Sequence, residues 1–401
     1  MRTIKQLLIG DNSKFFYYYG FLLFGLFFIL FPFGQLLRIE RYFLGFYFVI
    51  HPIDIVAILS LPFLFISTKG DILKKIDILI FIFIFSWVFS LTIFKFDESF
   101  TGFLYLFRIV SYYSFANMIY FLSKSGKIKD AILDIVTVSI VYLLFIGIFQ
   151  LLFFPDLRDL YYAGWDNHLY RFTTTLLDPG YTSLVLIFGL LLVLGRSSIF
   201  PKFMKIILVT LFLIAIVLTF SRAGYLALFI FFLMFFKKYL KWIMLTFITA
   251  LIIIFAYPKP HSSGVELYRT FSIISRIDNY KNTYLIFNKY PLFGIGFNNI
   301  CSYRLNFLNQ DNLISHSCSG SDSSLLLILS TTGIVGFIVL VSVFYDVWSS
   351  LGAGVYDKLL KYGFLIILVS SFFNNSFFYN FILGIFAVLL GISDKFITPD
   401  K

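Results

Sequence analysis

Charge is scarce in this chain of 401 residues. Only 13% of them are Asp, Glu, Lys or Arg, about half of what a soluble domain carries. An ordinary water-soluble enzyme is excluded on that ground. Cysteine and histidine are also rare, at 2 and 4 residues, and no His/Cys cluster has metal-ligand spacing. No glycine-rich phosphate loop of the nucleotide type occurs. The polar loops contain no close Asp-x-Asp or Glu-x-Asp pair to hold a metal on a diphosphate, so the expected chemistry needs neither metal nor cofactor. The formal net charge of +11 comes from Lys and Arg in short loops between apolar runs. No basic stripe is interleaved with aromatics on a polar face, so nucleic acid is not an expected partner.

What is abundant is apolar. Hydrophobic residues make up 60% of the chain, with 56 Phe and 26 Tyr. The runs lack the alternation of outer-membrane strands, and the lipid bilayer demands internally satisfied backbone, so helices are the spanning element. The N-terminal run 15–34 has no small-residue cleavage site after it and reads as a retained helix. At about 20 apolar residues per crossing, some twelve spans follow: 15–34, 42–67, 77–94, 101–122, 131–153, 181–195, 203–220, 223–236, 241–257, 323–345, 358–373 and 376–392. In the second, "HPID" at 51–54 lets Pro52 begin the helix proper and leaves 42–50 as an interfacial piece. The fold class is thus all-α, a polytopic integral membrane protein with 1–401 as a single transmembrane domain.

Short cytoplasmic loops are enriched in Lys and Arg. Placing Arg2, Lys5 and Lys14 inside also places inside Lys69, Lys74 and Lys75, then Lys124, Lys127 and Lys129, then Arg196, Lys202 and Lys205. Lys237, Lys238 and Lys241, Lys358 and Lys361, and Lys395 and Lys401 follow the same alternation. Both termini are then cytoplasmic. Two long polar loops, 154–180 and 258–322, fall outside, and loops of that length usually carry function. Within the second, 264–289 reads as an amphipathic helix stopped at Pro291 and followed by the turn Gly294-Ile295-Gly296. Arg269, Arg276 and Tyr280 share one face of it. Cys301 and Cys318 lie in the same loop, and a disulfide or two unpaired thiols fit equally well.

Three arginines stand at the outer side: Arg171 before the sixth helix, Arg222 in the tight break "SRAG", and Arg276 on the loop helix. A guanidinium makes paired hydrogen bonds to phosphate oxygens, so convergence of the three describes a diphosphate clamp. Snorkelling to lipid headgroups is the plain alternative for each alone. His316 and Asp322 flank "SCSGS", where small residues admit close approach of a ligand. Either can take a proton from a sugar hydroxyl, and Asp322 can instead cap the helix that follows. Asp178, in "LLDPG", has the same two readings, substrate contact or helix-entry turn. Arg108 and Asp134, inside the fourth and fifth segments, are expected to pair structurally.

The order "RFTTTLLDPG" before a helix, "SRAG" between helices, "R-x-D-x-Y…PLFGIG" in the long loop and "SLLLILSTTGIVG" opening the next span resembles the O-antigen ligase and O-antigen polymerase superfamily. The likeness covers roughly 130–345. It implies a membrane glycosyltransferase fold of the bacterial inner membrane whose donor and acceptor are undecaprenyl-diphosphate-linked glycans, with a chain-length regulator as a candidate partner. In that picture Arg171, Arg222 and Arg276 hold the diphosphate, Asp178 and Tyr280 contact substrate, and Asp322 or His316 is the base. Ligases show His and a small polar residue, nine intervening positions, then Gly-x-x-Gly. Here Asp322-Ser323 precede Gly333 and Gly336, and His316 lies six positions too early. The departure favours a repeat-unit polymerase over a ligase; a lipid-linked oligosaccharide flippase is the rival from another class, since its helix count is similar.

Overall fold

The computed structural model describes residues 13–43, 46–66, 71–123, 126–163, 165–195, 199–239, 241, 271–308 and 320–393. They are almost wholly helical: α1 (Ser13–Leu30), α2 (Pro52–Leu59), α3 (Phe63–Ile66), α4 (Asp71–Ser90), α5 (Phe96–Leu122), α6 (Gly126–Phe153), α7 (Pro179–Gly195), α8 (Lys202–Leu218), α9 (Arg222–Phe235), α10 (Phe271–Lys289), α11 (Ile300–Leu308), α12 (Ser324–Ser350), α13 (Val355–Ser371) and α14 (Asn380–Ile392). Three helical stretches, Lys14–Leu37, Gly126–Phe153 and Ser324–Ser350, are long and apolar enough to cross a bilayer, and Pro52–Ile66, Pro179–Gly195, Arg222–Phe235 and Asn380–Ile392 are shorter apolar ones. The expected span 241–257 lies outside the described residues except for Lys241.

The stretch expected to be an interfacial piece before Pro52 is a hairpin. Strands β1 (Ile39–Phe43) and β2 (Phe46–Ile50) pair antiparallel from Ile39↔Ile50 to Phe43↔Phe46. Aromatic and β-branched residues on both sides of a two-residue connection favour strands over helix. Pro52 does open α2, with His51 as its N-cap residue.

Helices approach closely where one side offers only hydrogen. A Cβ at Gly391 of α14 would lie 2.8 Å from the Ala116 carbonyl of α5, and one at Gly189 of α7 would lie 2.6 Å from the Phe212 ring of α8. Small residues bring membrane helices into dispersion contact in this way. Phe24, Phe27, Phe115, Phe188, Phe212 and Phe381 are wholly buried in the resulting core.

Helix α12 is interrupted. Gly333 has φ +67° inside an otherwise helical run. The chain segment Pro291–Gly296 fills the break. The Ile295 amide donates to the Ser330 carbonyl (3.2 Å) and that of Gly296 to Thr331 (2.9 Å), while the amides of Ile334 and Val335 donate to Pro291 (2.8 Å) and Leu292 (3.3 Å). The motifs "PLFGIG" and "STTGIVG" are therefore two halves of one joint. It satisfies the backbone groups that a broken helix leaves unpaired, as apolar surroundings require.

The two ends of the bundle carry different chemistry. At one end Lys75 pairs with Asp346 (3.2 Å), Lys129 lies over the Tyr356 ring, the Tyr356 hydroxyl donates to Asp130 (2.8 Å), and Ser123 donates to the Gly391 carbonyl (2.9 Å). These contacts lie at the helix ends that adjoin the lysine-bearing loops. At the other end Arg38, which leads into the hairpin, lies over the Trp165 ring (4.7 Å), Arg171 of the 154–178 segment reaches the α8–α9 turn, and Arg276 and Tyr280 of α10 reach the α13–α14 turn.

Candidate functional site

The segment 154–178 is fastened before it presents any side chain. The Leu157 amide donates to the His168 carbonyl (2.8 Å) and that of Tyr170 to Pro155 (2.8 Å). The threonines of "RFTTTLLDPG" are tie points. The Thr173 amide donates to Gln150 Oε1 (3.2 Å), the Thr175 hydroxyl to the Pro32 carbonyl (2.6 Å), and the Thr182 hydroxyl to the Thr173 carbonyl. Tyr170, Thr174 and Leu177 all have positive φ, as does Phe220 just before "SRAG". Non-glycine residues rarely adopt that conformation, and it gathers where a scaffold forces a specific geometry.

Arg171 is buried, and its guanidinium closes the α8–α9 turn: Nε donates to the Thr219 carbonyl (3.0 Å) and Nη2 to that of Phe220 (3.3 Å). The turn delivers Arg222 as the first residue of α9, after Ser221, whose hydroxyl accepts the Gly224 amide (3.2 Å). A Cβ at Gly224 would lie 2.3 Å from Ser183 Oγ, so α9 and α7 touch beside the arginine.

The described part of the expected amphipathic helix is α10, Phe271–Lys289; Arg269 lies outside the described residues. Arg276, Asn279 and Tyr280 share its inward side. Arg276 Nη2 donates to Asn374 Oδ1 (3.3 Å), and the Tyr280 hydroxyl donates to the Phe372 carbonyl (2.8 Å). Asn279 Oδ1 accepts the Asp322 amide (3.0 Å) and the Ser321 hydroxyl (3.3 Å). Helix α10 thus aligns both the α13–α14 turn and the residue that precedes α12.

Ser323, not Asp322, caps α12, accepting the Leu326 amide at 3.4 Å. Among the described residues the Asp322 carboxyl makes no hydrogen bond. Burial raises its pKa, Arg276 and Arg304 pull it down, and Asp166 and Asp178 push it up. Asp178 is raised as well, chiefly by burial, while its Oδ1 accepts the Tyr181 amide (2.9 Å) at the entry to α7. These mutual influences map the neighbourhood: Asp322 lies within electrostatic reach of Arg276 and Asp178, Asp178 of Arg171, and Arg276 of Arg222. Six sequence-derived candidates, Arg171, Asp178, Arg222, Arg276, Tyr280 and Asp322, therefore share one end of the bundle. His316 and Cys318 lie outside the described residues; Cys301 is disulfide-bonded.

The expected pairing of Arg108 with Asp134 is corrected. Arg108 Nη2 lies 3.0 Å from Asp54 Oδ2 and donates to the Val49 carbonyl (2.6 Å), which anchors the hairpin. Asp54 is preferred because it sits in the first turn of α2, where it also accepts the Tyr112 hydroxyl (3.0 Å). Sequence reasoning also missed Gln35, His51, Asn374 and Tyr379. The available signal was the polar "NNS" at 374–376, in a break between two apolar runs too short to be idle.

No curated protein matches the chain. Residues 206–341, which hold Arg222, Arg276, Asp322 and the Gly333 joint, match the family model described as O-Antigen ligase, and this match supports the O-antigen ligase/polymerase superfamily for this multi-pass membrane protein.

Proposed function

We propose that the chain polymerises undecaprenyl-diphosphate-linked oligosaccharide repeat units by inverting glycosyl transfer at the outer face of the bacterial inner membrane, with both termini cytoplasmic. The observation that carries this reading is that the Asp322 amide donates to Asn279 (3.0 Å), one helical turn along α10 from Arg276, that the Asp322 carboxyl makes no hydrogen bond among the described residues, and that Arg222 lies within electrostatic reach of Arg276. Two cations held together favour an anion between them. A diphosphate leaving group gathers negative charge as the glycosidic bond breaks, and preformed guanidinium donors stabilise that charge without reorganising. On the far side of the anomeric carbon, an acceptor hydroxyl must lose its proton. Asp322, with its amide fixed by Asn279 and its carboxyl without a hydrogen bond among the described residues, is the base. Arg171 contributes field from beneath, since its donors hold the turn that presents Arg222.

Polymerase is preferred because aspartate stands where ligases carry histidine. The matched family's description keeps the ligase, which would transfer finished polymer to lipid A core, as the second reading. A flippase fits less well, because the polar residues cluster at one end of the bundle rather than along its middle. The deciding experiment supplies the purified chain with a lipid-linked repeat unit, with and without chelator. Extension insensitive to chelator is expected. No extension, together with a deletion strain that accumulates full-length lipid-linked polymer, would establish the ligase.

A further inference from the structure

Behind the site lies a chain of directional hydrogen bonds that the proposed transfer does not use. Asn380 Oδ1 accepts the Phe381 amide (3.1 Å), which turns Asn380 Nδ2 toward His51 Nδ1, 2.9 Å away. An amide nitrogen only donates, and Nε2 faces Gln35 Oε1, so this set of bonds assigns the ring proton to Nε2, with Asp54 Oδ2, 3.4 Å from Nδ1, as the competing acceptor. His51 Nε2 then donates to Gln35 Oε1 (2.7 Å), leaving Gln35 Nε2 to donate to the Tyr379 hydroxyl oxygen (3.0 Å). The chain is rooted in Asp54, which accepts the His51 amide (3.0 Å) and pairs with Arg108. With its oxygen occupied from behind, the Tyr379 phenol directs its own hydrogen away from Gln35. That hydrogen has no acceptor among the described residues.

The Tyr379 ring lies parallel to that of Tyr181, with centroids 3.8 Å apart and planes within 3°. Tyr181 is within electrostatic reach of Asp178, Asp322 and Arg276, and its hydroxyl has no hydrogen-bond partner among the described residues. Both rings are only partly buried. Two stacked phenols, Tyr181 within electrostatic reach of Arg276 and Asp322 and Tyr379 within that of Asp178, thus offer two hydroxyl donors at the same site.

We infer that Tyr181 and Tyr379 donate hydrogen bonds to the sugar ring attached to the diphosphate, and that Gln35, oriented by His51, is the positioning residue for Tyr379. The inference rests on the glycosyl-transfer reading above. A sugar presents a rim of hydroxyl oxygens, and a site built to hydrogen-bond them discriminates strongly against ligands lacking them. Gln35 matters by direction rather than by charge. A carboxylate there would still accept from His51, but it would also accept the Tyr379 proton and turn the phenol away from the sugar.

The test uses the full chain, the lipid-linked repeat unit extracted from a deletion strain, and sugar-free undecaprenyl diphosphate. Tyr181→Phe and Tyr379→Phe keep the stacked rings and remove one hydroxyl each. Each is expected to raise KM for the repeat unit about tenfold while leaving affinity for sugar-free undecaprenyl diphosphate within about twofold. Gln35→Glu should match Tyr379→Phe and add nothing to it in the double variant. Wild-type KM in both phenylalanine variants, or a full additional loss from Gln35→Glu in the Tyr379→Phe background, would overturn the inference while the arginine clamp stands. Failure of the unaltered protein to bind sugar-free undecaprenyl diphosphate would remove the underlying reading and this inference with it.

Discussion

Arg276 of the loop helix donates to the Asn374 side chain at 3.3 Å, and that bond ties α10 to the turn between the last two helices. Asn374 also sits against the entry to α7, where a Cβ on Gly180 would lie 3.3 Å from its Nδ2. One side chain therefore registers the 276–280 face, the α7 entry and the C-terminal helix pair against each other. Several expectations depend on this registration.

Arg222→Ala and Arg276→Ala should each lower extension of a lipid-linked repeat unit by about a hundredfold, the usual loss when one preorganised donor to a developing anion is removed. Lysine at either position should recover part of it, because it restores charge but not paired hydrogen bonds. Membrane insertion, read by fractionation, should be unchanged. Normal polymer ladders in cells carrying either alanine variant would count against the clamp.

Arg171 should behave differently. Its Nε and Nη2 hold the Thr219 and Phe220 carbonyls from a buried position. Arg171→Met leaves those carbonyls without donors and should cost about 3 kcal/mol of stability. Lysine should not restore it, since a single ammonium cannot match the planar fork across two acceptors. Thermal unfolding in detergent separates this from a purely catalytic loss.

Activity should fall on the acid side at a higher pH than an ordinary carboxylate would set. Asp322 acts as a base only when ionised, and burial raises its pKa against the pull of Arg276 and Arg304. The rate therefore rises with pH through that raised value. Asp178→Asn removes a neighbouring negative charge and should move the acid limb to lower pH. A limb that stays in place in this variant, in a pH profile of kcat/KM, would separate Asp178 from the base.

The α12 joint should tolerate change at Gly336 better than at Gly333. A Cβ at Gly333 would lie 2.2 Å from the Leu292 carbonyl oxygen at a φ of +67°, so backbone strain adds to a main-chain clash, whereas one at Gly336 meets only side-chain atoms, Thr332 Oγ1 at 2.0 Å and Thr332 Cβ at 2.3 Å, at an ordinary φ. Gly333→Ala should cost more than about 3 kcal/mol or prevent assembly, with Gly336→Ala milder. Melting temperatures of the two purified variants check the order.

Much of this arrangement is legible in the residues, and the illegible parts share a cause. Hydropathy marks α6, α7, α8 and α9 to within a few residues because each is a single apolar run bounded by charge, Pro or Gly. The same measure reads "YFLGFYFVI" as an interfacial piece and misses the hairpin, since aromatic strands and apolar helices look alike without periodicity. It reads Ser324–Ser350 as unbroken, because the segment that fills the Gly333 gap is 37 residues away in the chain at its nearest end, Gly296. The arginines and Asp322 are visible as charges set against apolar helices. Gln35, His51 and Tyr379 are not, because an uncharged hydrogen-bond chain is defined only by which segments meet.

The most direct measurement of the central claim is the affinity of the purified chain for sugar-free undecaprenyl diphosphate, compared with the Arg222→Ala/Arg276→Ala double variant and with Asp322→Asn. Binding should be lost in the double variant and kept in Asp322→Asn, whose transfer activity alone should vanish. Equal binding by the double variant and the unaltered chain would contradict the account.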